Sequence, residues 1–164
     1  MRAPQPIGFK NGTNGGTQIA VDAIRSASQP HSFLSVTKQG VAAIVHTAGN
    51  PNTHLILRGG SDAPNYDAES VGAAAAGMRK AGLEPSIMID CSHANSRKDH
   101  KNQPVVAADI AKQIAAGNRD IVGVMIESHI NVRAPGDLPP AAADGAWRRR
   151  ATRNWTRARR FPAS

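Results

Sequence analysis

Cysteine is almost absent from this chain: Cys91 is the single one in 164 residues. An internal disulfide framework is therefore excluded, and a lone thiol suits a reducing compartment. Long apolar runs are also missing. No stretch approaches the roughly 18 residues that cross a bilayer, and the first residues lack a charged-then-apolar leader pattern. The expected location is the cytoplasm, with no membrane partner. A third shortage is local. From residue 131 onward there is no lysine and hardly an aliphatic side chain, in "APGDLPPAAADGAWRRRATRNWTRARRFPAS". Such a segment cannot bury enough apolar area to offset the entropy of ordering it.

Charge follows the same division. Residues 131–164 hold 8 Arg against 2 Asp, whereas residues 1–130 hold 12 Lys plus Arg against 10 Asp plus Glu. The +8 of the whole chain thus sits mostly at one end. The expected organisation is a folded body over 1–130 and a basic, disordered tail over 131–164.

Within the body one pattern recurs. "PIGFK" ends at Lys10, "HLILR" at Arg58, "SIMIDCSH" at His93, and "IVGVMIESH" reaches Glu127 and His129. Each is an apolar, strand-like run that finishes on a polar residue able to do chemistry. Helical patterns lie between them. Residues 17–28 place Ile19, Ala20, Ala23, Ile24 and Ala27 on one face, and residues 67–81 are alanine-rich and end before Gly82. Residues 104–116 open with Pro104, stack Val106, Ile110 and Ile114, and stop at Gly117. Arg58 to His93 is 35 residues and His93 to Glu127 is 34, the length of one strand-helix unit. Lys10 to Arg58 is longer because "HSFLSVTKQGVAAIVHTAGN", residues 31–50, inserts a β-hairpin.

Alternating strands and helices predict an α/β fold with a parallel sheet, doubly wound or closed as a (β/α)8 barrel. Both bind ligands at the carboxyl ends of the strands, so the polar exits are expected on one rim. Lys10 and Arg58 stand beside Asn11, Gly12, Gly59 and Gly60, where cations and close backbone amides suit a phosphate. His93 and Glu127 offer the nitrogen and oxygen donors of a divalent-metal site, for Zn, Mn, Fe or Co. Taken one at a time, a lysine or arginine at a strand end is more often a solvated charge, and a histidine more often bonds a carbonyl. Four such residues at matching exits favour the functional reading.

The motifs "GFKNGT" (8–13), "ILRGG" (56–60), "MIDCSHANS" (88–96) and "GVMIESH" (123–129), in this order and spacing, resemble the type I 3-deoxy-7-phosphoheptulonate (DAHP) synthases. The resemblance runs from about Pro6 to His129. It implies a (β/α)8 TIM barrel of which this chain supplies strands like the fifth to the eighth, with the inserted hairpin. It further implies an aldol-type transferase that condenses phosphoenolpyruvate with erythrose 4-phosphate at the start of the shikimate pathway to aromatic amino acids. Lys10 then resembles the lysine that contacts phosphoenolpyruvate and is a candidate proton donor. Arg58 resembles the arginine that holds its phosphate, and His93 and Glu127 resemble two of four metal ligands. The implied chemistry is attack of phosphoenolpyruvate carbon 3 on an aldehyde polarised by a divalent cation, addition of water at carbon 2, and loss of phosphate. The hairpin resembles part of an aromatic amino acid effector site, with Phe33 and Ser35 on its wall, or else an edge packed on a neighbouring subunit of a homo-oligomeric parent.

Departures from the family pattern set a second expectation. A full barrel takes roughly 250 residues, and the family draws a cysteine metal ligand and most erythrose 4-phosphate contacts from strands not found here. Period-2 geometry puts Cys91 on the same strand face as His93 but a layer deeper, so it is not expected to replace that ligand. After His129 the likeness stops, and the Arg, Ala and Pro-rich run has the composition expected of GC-rich DNA read in a wrong frame. The competing function class is therefore an inactive fragment with at most non-specific polyanion binding through "RRRATRNWTRARR", where Trp155 and the arginines would meet phosphates and bases. Nucleic acid is not the expected partner, since such a run is usually a solvated charge face.

Overall fold

A computed structural model describes residues 5–128. The tail expected over 131–164, its polyanion-binding run and His129 lie outside these residues. Four strands, β1 (Ile7–Lys10), β4 (Thr53–Leu57), β5 (Ile87–Asp90) and β6 (Ile121–Met125), form one sheet in the order β1-β4-β5-β6. All three pairings are parallel. Between β1 and β4 the chain makes helix α1 (Gln18–Ala27) and then an antiparallel hairpin of β2 (His31–Val36) and β3 (Ala42–Thr47). Helix α2 (Ala68–Lys80) links β4 to β5, and a short 3-10 turn leads into α3 (Gln103–Ala115) between β5 and β6. The expected strand-helix alternation, the hairpin insertion and the parallel sheet are all present.

The core lies between the sheet and the three helices. Leu55, Leu57, Ile87, Ile89, Cys91 and Ile121 from the strand side meet Val21 and Ile24 of α1, Val71, Ala75 and Met78 of α2, and Val106 and Ile110 of α3. Strands buried on a helix-covered face read as nearly continuous apolar runs, which is why they stood out in the sequence. Helix ends follow local chemistry. Asp67 caps α2, its Oδ1 accepting from Ser70 N–H at 2.9 Å. Pro104 sits in the first turn of α3, where a missing N–H costs nothing.

Two helical faces differ from expectation. In α1 the buried residues are Ala20, Val21 and Ile24, while Ile19 is 78% exposed. In α3 Ile114 is exposed and Gln113 is buried, its Nε2 donating to the Tyr66 carbonyl at 2.8 Å. Strict spacing by four drifts off a face that turns every 3.6 residues, so residues 106, 110 and 113 share the core side. The strands are also shorter than the motifs suggested, and this shapes the site.

Candidate active site

β1, β4, β5 and β6 run parallel, so their carboxyl ends share one rim, as expected. Lys10 closes β1 and Arg58 follows β4 by one residue; Glu127 follows β6 by two. His93 is placed differently. The run "SIMIDCSH" was expected to stay extended past Asp90, but β5 ends there, and His93 sits in a turn with φ of +49°. Period-2 reasoning therefore fails beyond Asp90. Cys91 points into the helix-packed core, fully buried, whereas the His93 side chain is a third exposed at the rim. Burial, and then the neighbouring Asp90 charge, push the Cys91 thiol up to about 11. It is a core side chain far from thiolate chemistry.

The residue that organises the rim is Asp90, which the sequence reading left without a role. Its side chain is completely buried. Oδ1 accepts from Ser92 N–H at 2.9 Å and Ser92 Oγ–H at 2.6 Å. Oδ2 accepts from Lys10 Nζ at 2.9 Å and lies 2.8 Å from His93 Nδ1. Burial alone raises a carboxyl pKa, but the hydrogen bonds from Ser92 and Lys10 more than offset it, and the net shift is downward. On its far side the imidazole faces Glu127, with Nε2 3.8 Å from Oε1. Lys10, Asp90, His93 and Glu127 thus form one continuous line across the exits of β1, β5 and β6.

Asparagines hold the loops behind that line. Asn11 Oδ1 accepts from Arg58 N–H at 2.7 Å, and its Nδ2 donates to the Gly59 carbonyl at 3.0 Å. Asn65 Oδ1 accepts from Gly59 N–H at 2.7 Å. Asn95 Nδ2 donates to the carbonyls of Leu57 and Asp90 at 3.1 and 2.9 Å, while its Oδ1 accepts from Asn65 N–H. These side chains satisfy backbone groups left over where the strands stop. Gly59 has φ of +80°, and a Cβ there would stand 2.7 Å from Asn95 N, so only glycine fits the loop. Gln103, at the start of α3, clamps Glu127 by both backbone groups, donating to its carbonyl at 2.8 Å and accepting from its N–H at 3.1 Å. The Arg58 guanidinium makes no hydrogen bond or ion pair among the described residues.

Residues 2–136 match the family model for the DAHP synthetase I family. The chain belongs to that family. Similar proteins carry consistent names. A tyrosine-inhibited phospho-2-dehydro-3-deoxyheptonate aldolase of Schizosaccharomyces pombe is 60% identical over 140 residues, 85% of this chain and 38% of the relative. The Phe-sensitive phospho-2-dehydro-3-deoxyheptonate aldolase of Escherichia coli K12 is 55% identical over 125 residues, 76% of this chain and 35% of the relative. The solved phospho-2-dehydro-3-deoxyheptonate aldolase of Francisella tularensis SCHU S4 superposes with a TM-score of 0.69 at 55% identity, covering 74% of this chain and 36% of that one. The chain spans a little over a third of the length of these relatives.

DAHP synthetases are in general metal-dependent. Ligand atoms roughly 2.0–2.2 Å from one ion lie at most about 4.4 Å apart, so His93 Nε2 and Glu127 Oε1 at 3.8 Å fit as a donor pair. Among the described residues no group of three or more His, Cys, Asp or Glu side chains gathers to complete a set. On the hairpin, Phe33 and Ser35 share a face and pair with Val45 and Ala43. Phe33 is half exposed. Among the described residues no helix is long and apolar enough to cross a membrane.

Proposed function

We propose that this chain carries the phosphoenolpyruvate and metal side of a DAHP synthase active site, on the fifth to eighth strands of a (β/α)8 barrel whose body extends to about residue 130. Lys10 and Arg58 bind the phosphate and carboxylate of phosphoenolpyruvate, and His93 and Glu127 hold a divalent cation: Mn, Fe, Co or Zn. The observation that carries this reading is the line of contacts from Lys10 through Asp90 to His93 and Glu127 at the carboxyl ends of β1, β5 and β6 in one parallel sheet. A lysine held by Asp90 beside a facing His93 and Glu127 supports a rim at which an anionic substrate and a Lewis acid meet. The Arg58 guanidinium, unpaired among the described residues, supports the phosphate assignment.

The family reaction joins phosphoenolpyruvate to erythrose 4-phosphate with uptake of water and release of phosphate. When bound, the cation supplies Lewis acidity toward the aldehyde oxygen of erythrose 4-phosphate. In this reading the chain's own residues orient phosphoenolpyruvate by ionic contact, and Lys10 Nζ is the proposed proton donor at the rim. The cytoplasm is the proposed location. Phe33 and Ser35 are proposed to line an aromatic amino acid effector site, in keeping with relatives named for sensitivity to Phe or Tyr. The exposed Leu34, Val36 and Ile44 of the hairpin equally support contact with a second subunit.

Titration of the purified chain with Mn2+, followed by loss of the free-ion magnetic resonance signal, tests the metal half. Binding that weakens at least tenfold in both His93→Ala and Glu127→Gln is the expected result. Equal binding by the parent and both variants would overturn the assignment.

A further inference from the structure

We propose that Asp90 is a positioning residue that fixes the tautomer and the aim of His93, an inference that rests on reading His93 as a metal donor. The argument is one of donors and acceptors. A buried, ionised carboxylate can only accept hydrogen bonds, and its ionised form is held by Lys10 Nζ at 2.9 Å and by two donors from Ser92. Its Oδ2 stands 2.8 Å from His93 Nδ1, so that nitrogen must carry the proton of the contact. The neighbouring Ser92 hydroxyl is 3.0 Å from the same Nδ1. Its single proton goes to Asp90 Oδ1, 2.6 Å away, and it turns a lone pair toward the ring. Both neighbours of Nδ1 therefore demand a donor.

A neutral His93 is then the Nδ1–H form, with the lone pair on Nε2 facing Glu127. That is the form a metal donor needs, and nothing in the backbone supplies it: His93 lies beyond the strand, in a turn with positive φ closed by the Lys98 N–H to His93 carbonyl bond of 2.7 Å. Its ring is aimed by side-chain contacts rather than by the sheet. Asp90 is not itself a donor to the cation. Both of its oxygens are engaged, it is fully buried, and it meets the opposite edge of the ring from Glu127. Carboxylates that orient a ligating histidine in this way typically account for about 10–100-fold in metal affinity.

Long-range proton–nitrogen correlation spectra of the chain carrying 15N-labelled histidine, in mildly alkaline buffer, read the tautomer directly. His93 is expected to show a protonated Nδ1 and an unprotonated Nε2 in the parent, and to shift toward the Nε2–H form in Asp90→Asn. Ser92→Ala, which keeps the carboxylate, is expected to retain Nδ1–H. An Nε2–H ring in the parent overturns the proposal without any variant, as does release of the tautomer in Ser92→Ala. A folded Asp90→Asn protein that stays wholly Nδ1–H overturns it too. Mn2+ titration of the same samples separates the two readings. A parent that holds Nδ1–H yet takes up no Mn2+ rejects the metal assignment while supporting the role of Asp90; a parent that binds Mn2+ should lose about 10–100-fold in affinity with Asp90→Asn.

Discussion

The two faces of the four-stranded sheet are made from the same strands and differ in almost every respect. On the side packed by helices, Leu55, Leu57, Ile87 and Ile89 are each no more than 1% exposed, and their titratable neighbours are the buried Cys91 and the partly buried Tyr66. On the other side β4 and β5 present His54, Ile56, Met88 and Asp90, and β1 presents Gly8 and Lys10. Gly8 is bare there because the side chains of Ile56 and His54 occupy the place of its Cβ. His54 Nε2 is buried and has no hydrogen-bond partner among the described residues. One face is closed by shape alone. The other concentrates the charge, and its polar groups lead to the rim where the candidate site stands. Packing and chemistry are thus divided by strand alternation.

The largest effects should come from the closed face. Leu57→Ala is expected to cost about 2–5 kcal/mol by removing a side chain from a filled core, whereas Ile56→Ala, one residue earlier and facing the other way, should cost clearly less. Urea unfolding of both variants measures the difference, and equal losses would break the contrast. Next in size is the rim itself. Gly59→Ala forces a left-handed backbone on a residue with a side chain and drives its Cβ onto the Ala94–Asn95 peptide. About 1–3 kcal/mol of destabilisation is expected, with weaker binding of phosphoenolpyruvate because Arg58 moves with the loop.

The dependence of stability on pH separates the faces by sign. Asp90 has a folded pKa below its unfolded value. Its contribution is present above the ordinary carboxylate range and is lost as pH falls through the lowered folded value. Burial also lowers His54 from 6.5, so its contribution is likewise lost on the acid side, below that value. Cys91 is raised from 9.0 to about 11, and its contribution is present below 9.0 and lost as pH rises toward 11. Asp90→Asn and His54→Leu should therefore flatten the acid limb of a stability profile, and Cys91→Ala the alkaline limb. His54→Leu should otherwise be nearly neutral, since it removes a buried atom that has no partner among the described residues. The smallest effect belongs to the exposed Arg79–Asp120 pair, with Arg79 Nη2 2.8 and 2.9 Å from the two carboxylate oxygens. Arg79→Ala should change stability by less than about 1 kcal/mol.

What could be read from the sequence follows the same line. The helix-packed face announced itself as apolar runs, and the regular 34- and 35-residue spacing gave the parallel order. The polar exits Lys10, Arg58, His93 and Glu127 were visible as interruptions of those runs, and three of them meet along one line. Asp90 was missed although a signal existed: a charged residue inside an apolar run must find partners if it is buried. Those partners come from 80 residues away at Lys10 and from a turn at His93 that strand periodicity cannot describe. Asn65, Asn95 and Gln103 were missed for a related reason. They bond to backbone groups whose need arises only once the strands stop, and no residue pattern records where that happens. The rotated faces of α1 and α3 show the same limit, since a spacing of four and a turn of 3.6 residues part company within three turns.

A crystal structure of the chain soaked with phosphoenolpyruvate and Mn2+ tests the central claim most directly. The phosphate should lie against Lys10 Nζ and the Arg58 guanidinium, and Mn2+ should lie between His93 Nε2 and Glu127, with Asp90 still bonded to Nδ1. Phosphate and metal bound elsewhere, or a His93 ring turned away from Glu127 in the loaded protein, would contradict it.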